Sequence, residues 1–522
     1  MSANTITNES LKTGKVARAE HPRWQKLLLW SSVLALVIIA IAMRLYQLGV
    51  PFDRDGYDEG VYWQSLRAMS AGYTLYHQIF YSQPPFFLLS TYPFFALFGS
   101  TLWSARLGIA LVSLLGLPGA YLLGKSLGGR VGAILALVLI IVNPIYLTQS
   151  QTIEAEVSSA AFSLLTIGAA YLWWDNPESV QGMVYAIICG VTLSLGILCK
   201  LLGLSCLVPI GLLMLARLWQ LWRKQPGQPG VTPASVRAMI IGAIACIITF
   251  AILIIPYIGA WHDILQGVVT FHTHAGTVFG QQPGIIALKK QYFQTFFTSQ
   301  FALILAACLG TFIALIRRNW KFVPLLAWLL VSLYLLWITT PLFYRHLIAL
   351  VPPLIGLAVL GLEGLPTIEG VNAQVAKIVP TLVVLLILVA SGVNIGQDVV
   401  YYNNAAQQST SAYTQLEARV ATDLRNSIAP DQVVITDAQF IAALADRSTP
   451  PSLVDTSTVR IESGYVTLQQ LESAASQPDV HAVLFFTNRL LTLPSVAPFH
   501  AWVAQHFHLK YTYGAGQELW VR

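Results

Sequence analysis

PPFFLLSTYPFFALF, residues 84–98, is apolar and aromatic throughout and carries a proline, Pro93, near its centre. As a helix, its 15 residues would reach about 22 Å at 1.5 Å per residue, short of the roughly 30 Å of a bilayer's hydrocarbon core. Whether it crosses sets the sidedness of everything that follows. If it stays at the surface, three basic groups collect in loops on one side: Lys125 with Arg130, then Arg217, Arg223, Lys224 and Arg237, then Arg317, Arg318 and Lys321. If it crosses, most of them move to the other side. Basic loops face the cytoplasm, so 84–98 reads as an interfacial or re-entrant element at the outer membrane face.

Around it lie eleven apolar runs long enough to span: 27–48, 102–124, 131–149, 157–174, 181–198, 201–219, 238–259, 296–316, 322–340, 346–362 and 378–396. The composition agrees with them. Of 522 residues 55% are hydrophobic and only 10% charged, where soluble domains carry about 25% charged residues. The net charge of +6 comes from residues at helix ends and in short loops, which set topology and do not mark a nucleic-acid partner. All five cysteines sit inside apolar runs without metal-ligand spacing. They read as small packing residues.

These runs divide the chain into a polar cytoplasmic tail (1–26), a membrane domain (27–397) and a soluble remainder (398–522). The membrane domain has two long outer loops, 49–101 and 260–295. An odd number of crossings from an inside N-terminus places the last part outside the cytoplasm, with the cell membrane as the location. In that part LEARVATDLRNSI and YVTLQQLESAAS read as helices, and VVITD and AVLFFT as buried strands. The alternation predicts an α/β domain with a largely parallel sheet. Asp455, Arg460 and Glu462 fall near its turns, where a structural role is expected.

The polar residues that resist a membrane setting gather on the predicted outer side. The first outer loop opens PFDRDGYDEG, with four carboxylates (Asp53, Asp55, Asp58, Glu59) in seven residues. Charge clustering leaves two readings equal: a helix start with acids in its first turn, or a carboxylate held at the bilayer surface as a general base or metal ligand. Glu154 and Glu156 stand just before an apolar helix, and at i, i+2 spacing they cannot share one helix face. Only one is expected to point at the first loop. Lys200 lies between two apolar runs, and Arg345 follows Tyr344 at another; either fits a phosphate at the membrane surface. Arg106 is a third outer-side cation. His272 and His274 form a His-x-His pair that could take a metal.

The order of motifs resembles the dolichyl-phosphate-mannose–protein mannosyltransferase superfamily, which includes the bacterial aminoarabinose transferases of lipid A. The resemblance is carried by Asp58-Glu59, Gly72-Tyr73…Tyr76, Gln83-Pro84-Pro85, Arg106-Leu107, Leu123-Gly124…Gly129…Gly132, and Asn143-Pro144. It continues through Glu156 at a helix start, Gly196…Lys200, and Tyr344-Arg345-His346…Pro352-Pro353. It covers roughly 27–400.

The resemblance implies a GT-C-type glycosyltransferase: about eleven transmembrane helices followed by a soluble α/β domain. Its reaction would move a sugar from a polyprenyl-phosphate carrier to an acceptor hydroxyl on a lipid, glycan or protein, by a single inverting displacement at the outer face. Asp58 would be the base, supported by Glu59. Lys200 and Arg345, with Arg106, would hold the donor phosphate. Glu156 would orient the acceptor or, with Asp58, a divalent cation. Gln83, Tyr344, His346, His272 and His274 are further candidates. Where the lipid A branch has Glu-Lys before the paired prolines, this chain has Ser82-Gln83, which argues against aminoarabinose transfer. A lipid or sugar transporter is the competing class. It would carry ionisable groups at helix centres and internal repeats, and this chain shows neither.

Overall fold

A computed structural model describes residues 23–223, 233–363 and 373–522. Most of the expected tail, and Lys224, lie outside these. The protein is a polytopic α-helical membrane protein with a small sheet domain at its C-terminus. Seven described helices are long and apolar enough to span a bilayer, or eight when the bent pair Ile285–Ser299 and Phe301–Ile316 counts as one. Shorter apolar helices cover Phe86–Phe98, Phe322–Ile338 and Tyr344–Leu360.

One of those seven hides a reversal. The segment 102–141 breaks at Gly128 and at Gly129, whose φ is +63°. A Cβ built on Gly124 would lie 2.3 Å from the Gly132 carbonyl oxygen. In a straight helix, residues eight apart are separated by about 12 Å, so here the chain doubles back as a tight helical hairpin. That reversal is what the sequence reading expected between 124 and 131.

Two expected segments gain detail. The stretch 260–295, expected as an outer loop, is helical for most of its length: Trp261–Leu265, Gln266–Thr270, Phe271–Gly280 and the start of Ile285–Ser299. The expected domain boundary at 397 falls inside one long helix, Ala373–Ser409. The soluble domain's own first helix is Ala412–Ser427.

The domain's four strands are β1 (Val433–Thr436), β2 (Val480–Phe485), β3 (His508–Gly514) and β4 (Gln517–Val521), in the order β1-β2-β4-β3. Only β1–β2 is parallel; β2–β4 and β3–β4 are antiparallel. The sheet is therefore mixed, not largely parallel. The cause is local: two residues link β3 to β4, and so short a link permits only a hairpin.

The domain sits on the loop 49–101. Helix Asp58–Ser70 packs against helix Gln439–Leu444, with Trp63 and Phe440 in an edge-to-face pair at 5.6 Å. Gln64 Nε2 donates to the Arg447 carbonyl at 2.9 Å, and Arg67 pairs with Asp446 at 2.6 Å. Arg460, expected to be structural, stacks its guanidinium 3.7 Å from the Phe80 ring centre. The closest approach is at Gly60, where an added Cβ would lie 2.4 Å from the Phe440 nitrogen and 2.8 Å from its Cα. Both are backbone atoms and cannot swing aside. Gly60→Ala is therefore expected to cost about 1–3 kcal/mol, the range for overpacking. A lowered unfolding temperature in nanodiscs would show it, and an unchanged one would refute the close seating.

Candidate functional site

The first loop is folded by a buried ion pair. Arg106, in helix Leu102–Ser113, spends every N–H it has. Nε and Nη2 donate to Glu59 Oε1 and Oε2 at 2.7 Å each, Nη1 to the Leu48 and Val50 carbonyls at 3.0 and 2.8 Å, and Nη2 to the Phe52 carbonyl at 2.7 Å. Both side chains are fully buried. Glu59 also accepts from the backbone N–H of Arg54 at 2.9 Å and of Ile153 at 3.2 Å. This corrects the expectation that Arg106 binds a phosphate, since no N–H is left to donate. Arg106 holds the loop, and Glu59 is its counter-ion.

With the loop so held, Asp55 and Asp58 point at Arg345. Nη1 pairs with Asp55 and Nη2 with Asp58, while Nε lies 3.3 Å from Glu156 Oε1 and 3.7 Å from Glu154 Oε2. Glu156 Oε1 in turn pairs with Lys200 and sits 3.3 Å from His346 Nε2. The Phe343 N–H reaches His346 Nδ1 at 3.4 Å. That contact makes Nδ1 the acceptor, so Nε2 carries the proton that faces Glu156. Four carboxylates thus meet two fixed cations and a histidine. Each carboxylate comes from loop 53–58 or from segment 154–156, and each cation from a helix junction: Lys200 ends helix Val180–Cys199, and Arg345 opens the turn Tyr344–Leu350.

As expected, only one of Glu154 and Glu156 reaches the first loop. It is Glu154, the extended residue before helix Ala155–Asp175, at φ −140° and ψ 150°, with an oxygen within 4.8 Å of those of Asp55 and Asp58. Glu156 turns to Lys200 and His346, and both acids lie beside Arg345 Nε. Asp55 was visible as part of a charge run, with no signal to separate it from Asp53. Asp53 turns elsewhere, its Oδ1 taking the N–H groups of Asp55 and Gly56 at 3.0 and 2.9 Å.

The excess of acid shows in ionisation. Burial holds the Glu154 carboxyl well above the usual carboxylate range, and Asp55, Glu156 and Asp58 push the same way against the pull of Arg345. Asp55 is raised by burial, with Arg345 opposing. Oxygens of Asp55, Asp58 and Glu154 lie within 4.8 Å of one another. Among the described residues this is the group that could hold a metal ion, in place of the expected Asp58 and Glu156. Glu156 is instead engaged with Lys200, Arg345 and His346.

The other candidates are dispersed. Gln83 is buried, and its carbonyl accepts from Tyr76 at 2.8 Å. Tyr344 Oη lies 3.5 Å from Ser299 Oγ. His272 Nε2 contacts the Ser82 carbonyl at 2.8 Å, and His274 faces Tyr465 at 6.4 Å. Two apart on helix Phe271–Gly280, these histidines diverge and do not form a metal pair.

Residues 73–271 match the family model of dolichyl-phosphate-mannose-protein mannosyltransferases. No curated protein sequence matches the chain significantly. The fold is similar to that of ArnT from Cupriavidus metallidurans in its apo state, with a TM-score of 0.64 at 13% identity, covering 94% of this chain and 98% of that one. The same enzyme bound to undecaprenyl phosphate gives 0.65 at 15% identity, with 94% and 97% covered. The archaeal oligosaccharyltransferase AglB from Archaeoglobus fulgidus, in complex with an inhibitory peptide and a dolichol-phosphate, gives 0.53 at 14% identity, covering 96% of this chain and 75% of that one. The resemblance read from the motifs is thus met by a family match over 73–271 and by a fold similar to those of ArnT and AglB.

Proposed function

We propose, from the mannosyltransferase-family match over residues 73–271 and the geometry of the acidic site, that this glycosyltransferase takes its sugar from a polyprenyl-phosphate carrier. Transfer to an acceptor hydroxyl occurs at the outer membrane face, by one inverting displacement. The observation that carries the assignment of the base is accessibility. The Asp58 side chain is 32% exposed, against 12% for Asp55, 1% for Glu154 and 0% for Glu156. Of the four, only Asp58 is open enough to meet an acceptor.

Asp58 Oδ accepts the acceptor's proton as the hydroxyl oxygen attacks the anomeric carbon, and the bond to the carrier phosphate breaks. Arg345 and Lys200 receive the charge that develops on the leaving phosphate. Glu156 holds both cations on one oxygen and fixes where that charge is met. Donor phosphate competes with Asp58 for Arg345, so donor binding frees the base to act. A groove of about 910 Å³ lined by Phe293, Phe297, Leu333 and Trp337, with Lys290 beside it, is suited to the carrier's apolar chain.

The trio Asp55, Asp58 and Glu154 also fits a divalent cation, since Glu154 Oε1 is buried without a hydrogen-bond partner. Bound there, a cation would add charge stabilisation at the phosphate. A proton on Glu154 relieves the same excess of negative charge.

Purified protein given a polyprenyl-phosphate sugar and a hydroxyl acceptor is expected to release polyprenyl phosphate. Passage of the carrier across a vesicle membrane without cleavage would support a transporter instead. The site also predicts a pH dependence. Glu154 is held protonated above the ordinary carboxylate range, so rising pH ionises it and adds a negative charge beside Arg345. Phosphate binding weakens accordingly, and kcat/KM falls on the alkaline side. Glu154→Gln fixes the neutral form and should remove that fall. An unchanged alkaline limb in this variant would clear Glu154 of the role.

A further inference from the structure

Between loop 49–101 and the C-terminal domain lies a second cavity, of about 320 Å³, whose lining includes neither Arg345 nor Asp55 and Asp58. Phe52, Asp53 and Tyr57 form one wall, and Tyr413, Glu417 and Gln439 the other. Two of these side chains stand out: Gln439, which keeps a buried acceptor without a partner, and the largely buried carboxyl of Glu417. Glu417 is 6% exposed and accepts no hydrogen bond among the described residues; burial pushes its carboxyl up to about 7. Gln439 is 1% exposed, with Nε2 engaged by the Leu453 carbonyl at 2.9 Å and Oε1 buried without a partner.

The lining selects the ligand's chemistry. Arg54 is the one cation among the lining residues, and its guanidinium turns away, to Gln151 Oε1 at 2.7 Å and Tyr401 Oη at 2.8 Å. The lining thus presents acceptor oxygens and aromatic rings, and the nearby Arg489 is engaged with the Tyr57 ring at 4.0 Å, Thr487 Oγ1 and the Asp437 carbonyl. An anion is disfavoured there. A neutral ring bearing several hydroxyl donors and an apolar face is accommodated, and the volume lies at the small end of ligand pockets. We propose that this seam binds a neutral sugar ring. The site is distinct from the one that would cleave the carrier, and the proposal does not depend on the transfer reaction. Asp53, Gly56 and Tyr57 line the seam while Asp55 and Asp58 face Arg345. A sugar held there would rest on the segment that carries the base.

The test uses full-length protein in phosphatidylcholine nanodiscs, free of sugar-headed detergent and of any lipid-linked donor. Saturation-transfer NMR is recorded with glucose, mannose and galactose in turn at millimolar concentration. Transfer to at least one sugar is expected. In Glu417→Leu, which keeps the bulk and removes the acceptor, affinity should fall at least tenfold. The same loss is expected in Tyr413→Ala, whose side chain is already 54% exposed and tolerates truncation. Unfolding temperatures show whether each variant is folded, and the exposed position serves if the buried one is not. No transfer to any of the three sugars, or transfer unchanged in the folded variants, would overturn the proposal.

Discussion

Asp58→Asn is expected to slow release of polyprenyl phosphate by about a hundredfold to ten-thousandfold, the usual contribution of a positioned general base. The amide keeps an oxygen for Arg345 Nη2, so the loop should stay folded. The kinetic signature separates this role from phosphate binding. Asp58 shares Arg345 with Asp55 and Glu156, and removing its charge makes Arg345 more available to the donor. The fall should therefore lie in kcat, with the donor's KM unchanged or lower. Asp55→Asn removes a less exposed partner of the same guanidinium and should spare most of kcat. If Asp58→Asn keeps full kcat while Asp55→Asn loses it, the base is Asp55 and the accessibility argument is wrong.

Charge clustering alone does not rank Asp58 above Asp55; only the resemblance singled out Asp58, and the reason is general to this site. Apolar length and the placement of lysine and arginine are summed properties of a segment, so the helices and the family's motif order were legible. So were Asp58, Lys200, Arg345 and Glu156, which stand at segment ends where chemistry is exposed to one membrane side. What sequence does not carry is the direction of a side chain outside regular structure. Helical spacing left one of Glu154 and Glu156 to face the first loop without saying which, and Glu154 does so because it is the extended residue before its helix. Arg106 left it because three carbonyls of the loop, at Leu48, Val50 and Phe52, converge on its guanidinium, and no residue type announces a carbonyl's direction. The mixed sheet has a different cause. β1 and β2 carry the buried pattern of a parallel pair, while β3, exposed along most of its length, does alternate Leu509, Tyr511 and Tyr513 with polar residues, a strand signal outside the two strands read from the sequence.

The reassignment of Arg106 leads to the second large effect. Arg106→Met should destabilise the protein by about 3–5 kcal/mol, because it strands the Glu59 charge in a fully buried site. Three backbone carbonyls would lose their donors at the same time. The damage should travel, since Glu59 also takes the N–H of Arg54 and of Ile153; one precedes Asp55 and the other precedes Glu154. A variant that still folds is therefore expected to lose kcat through misplaced acids. If Arg106 bound the donor instead, the same variant would fold normally and fail only through a raised KM. The double variant Glu59→Gln/Arg106→Met separates the two readings further. Removing both charges takes away the stranded carboxylate, so it should unfold at a higher temperature than Arg106→Met alone, a coupling that only residues in contact produce. Additive losses in the double variant would mean that the pair does not hold the loop. The seating of Asp55 and Asp58 on Arg345 would then need another cause.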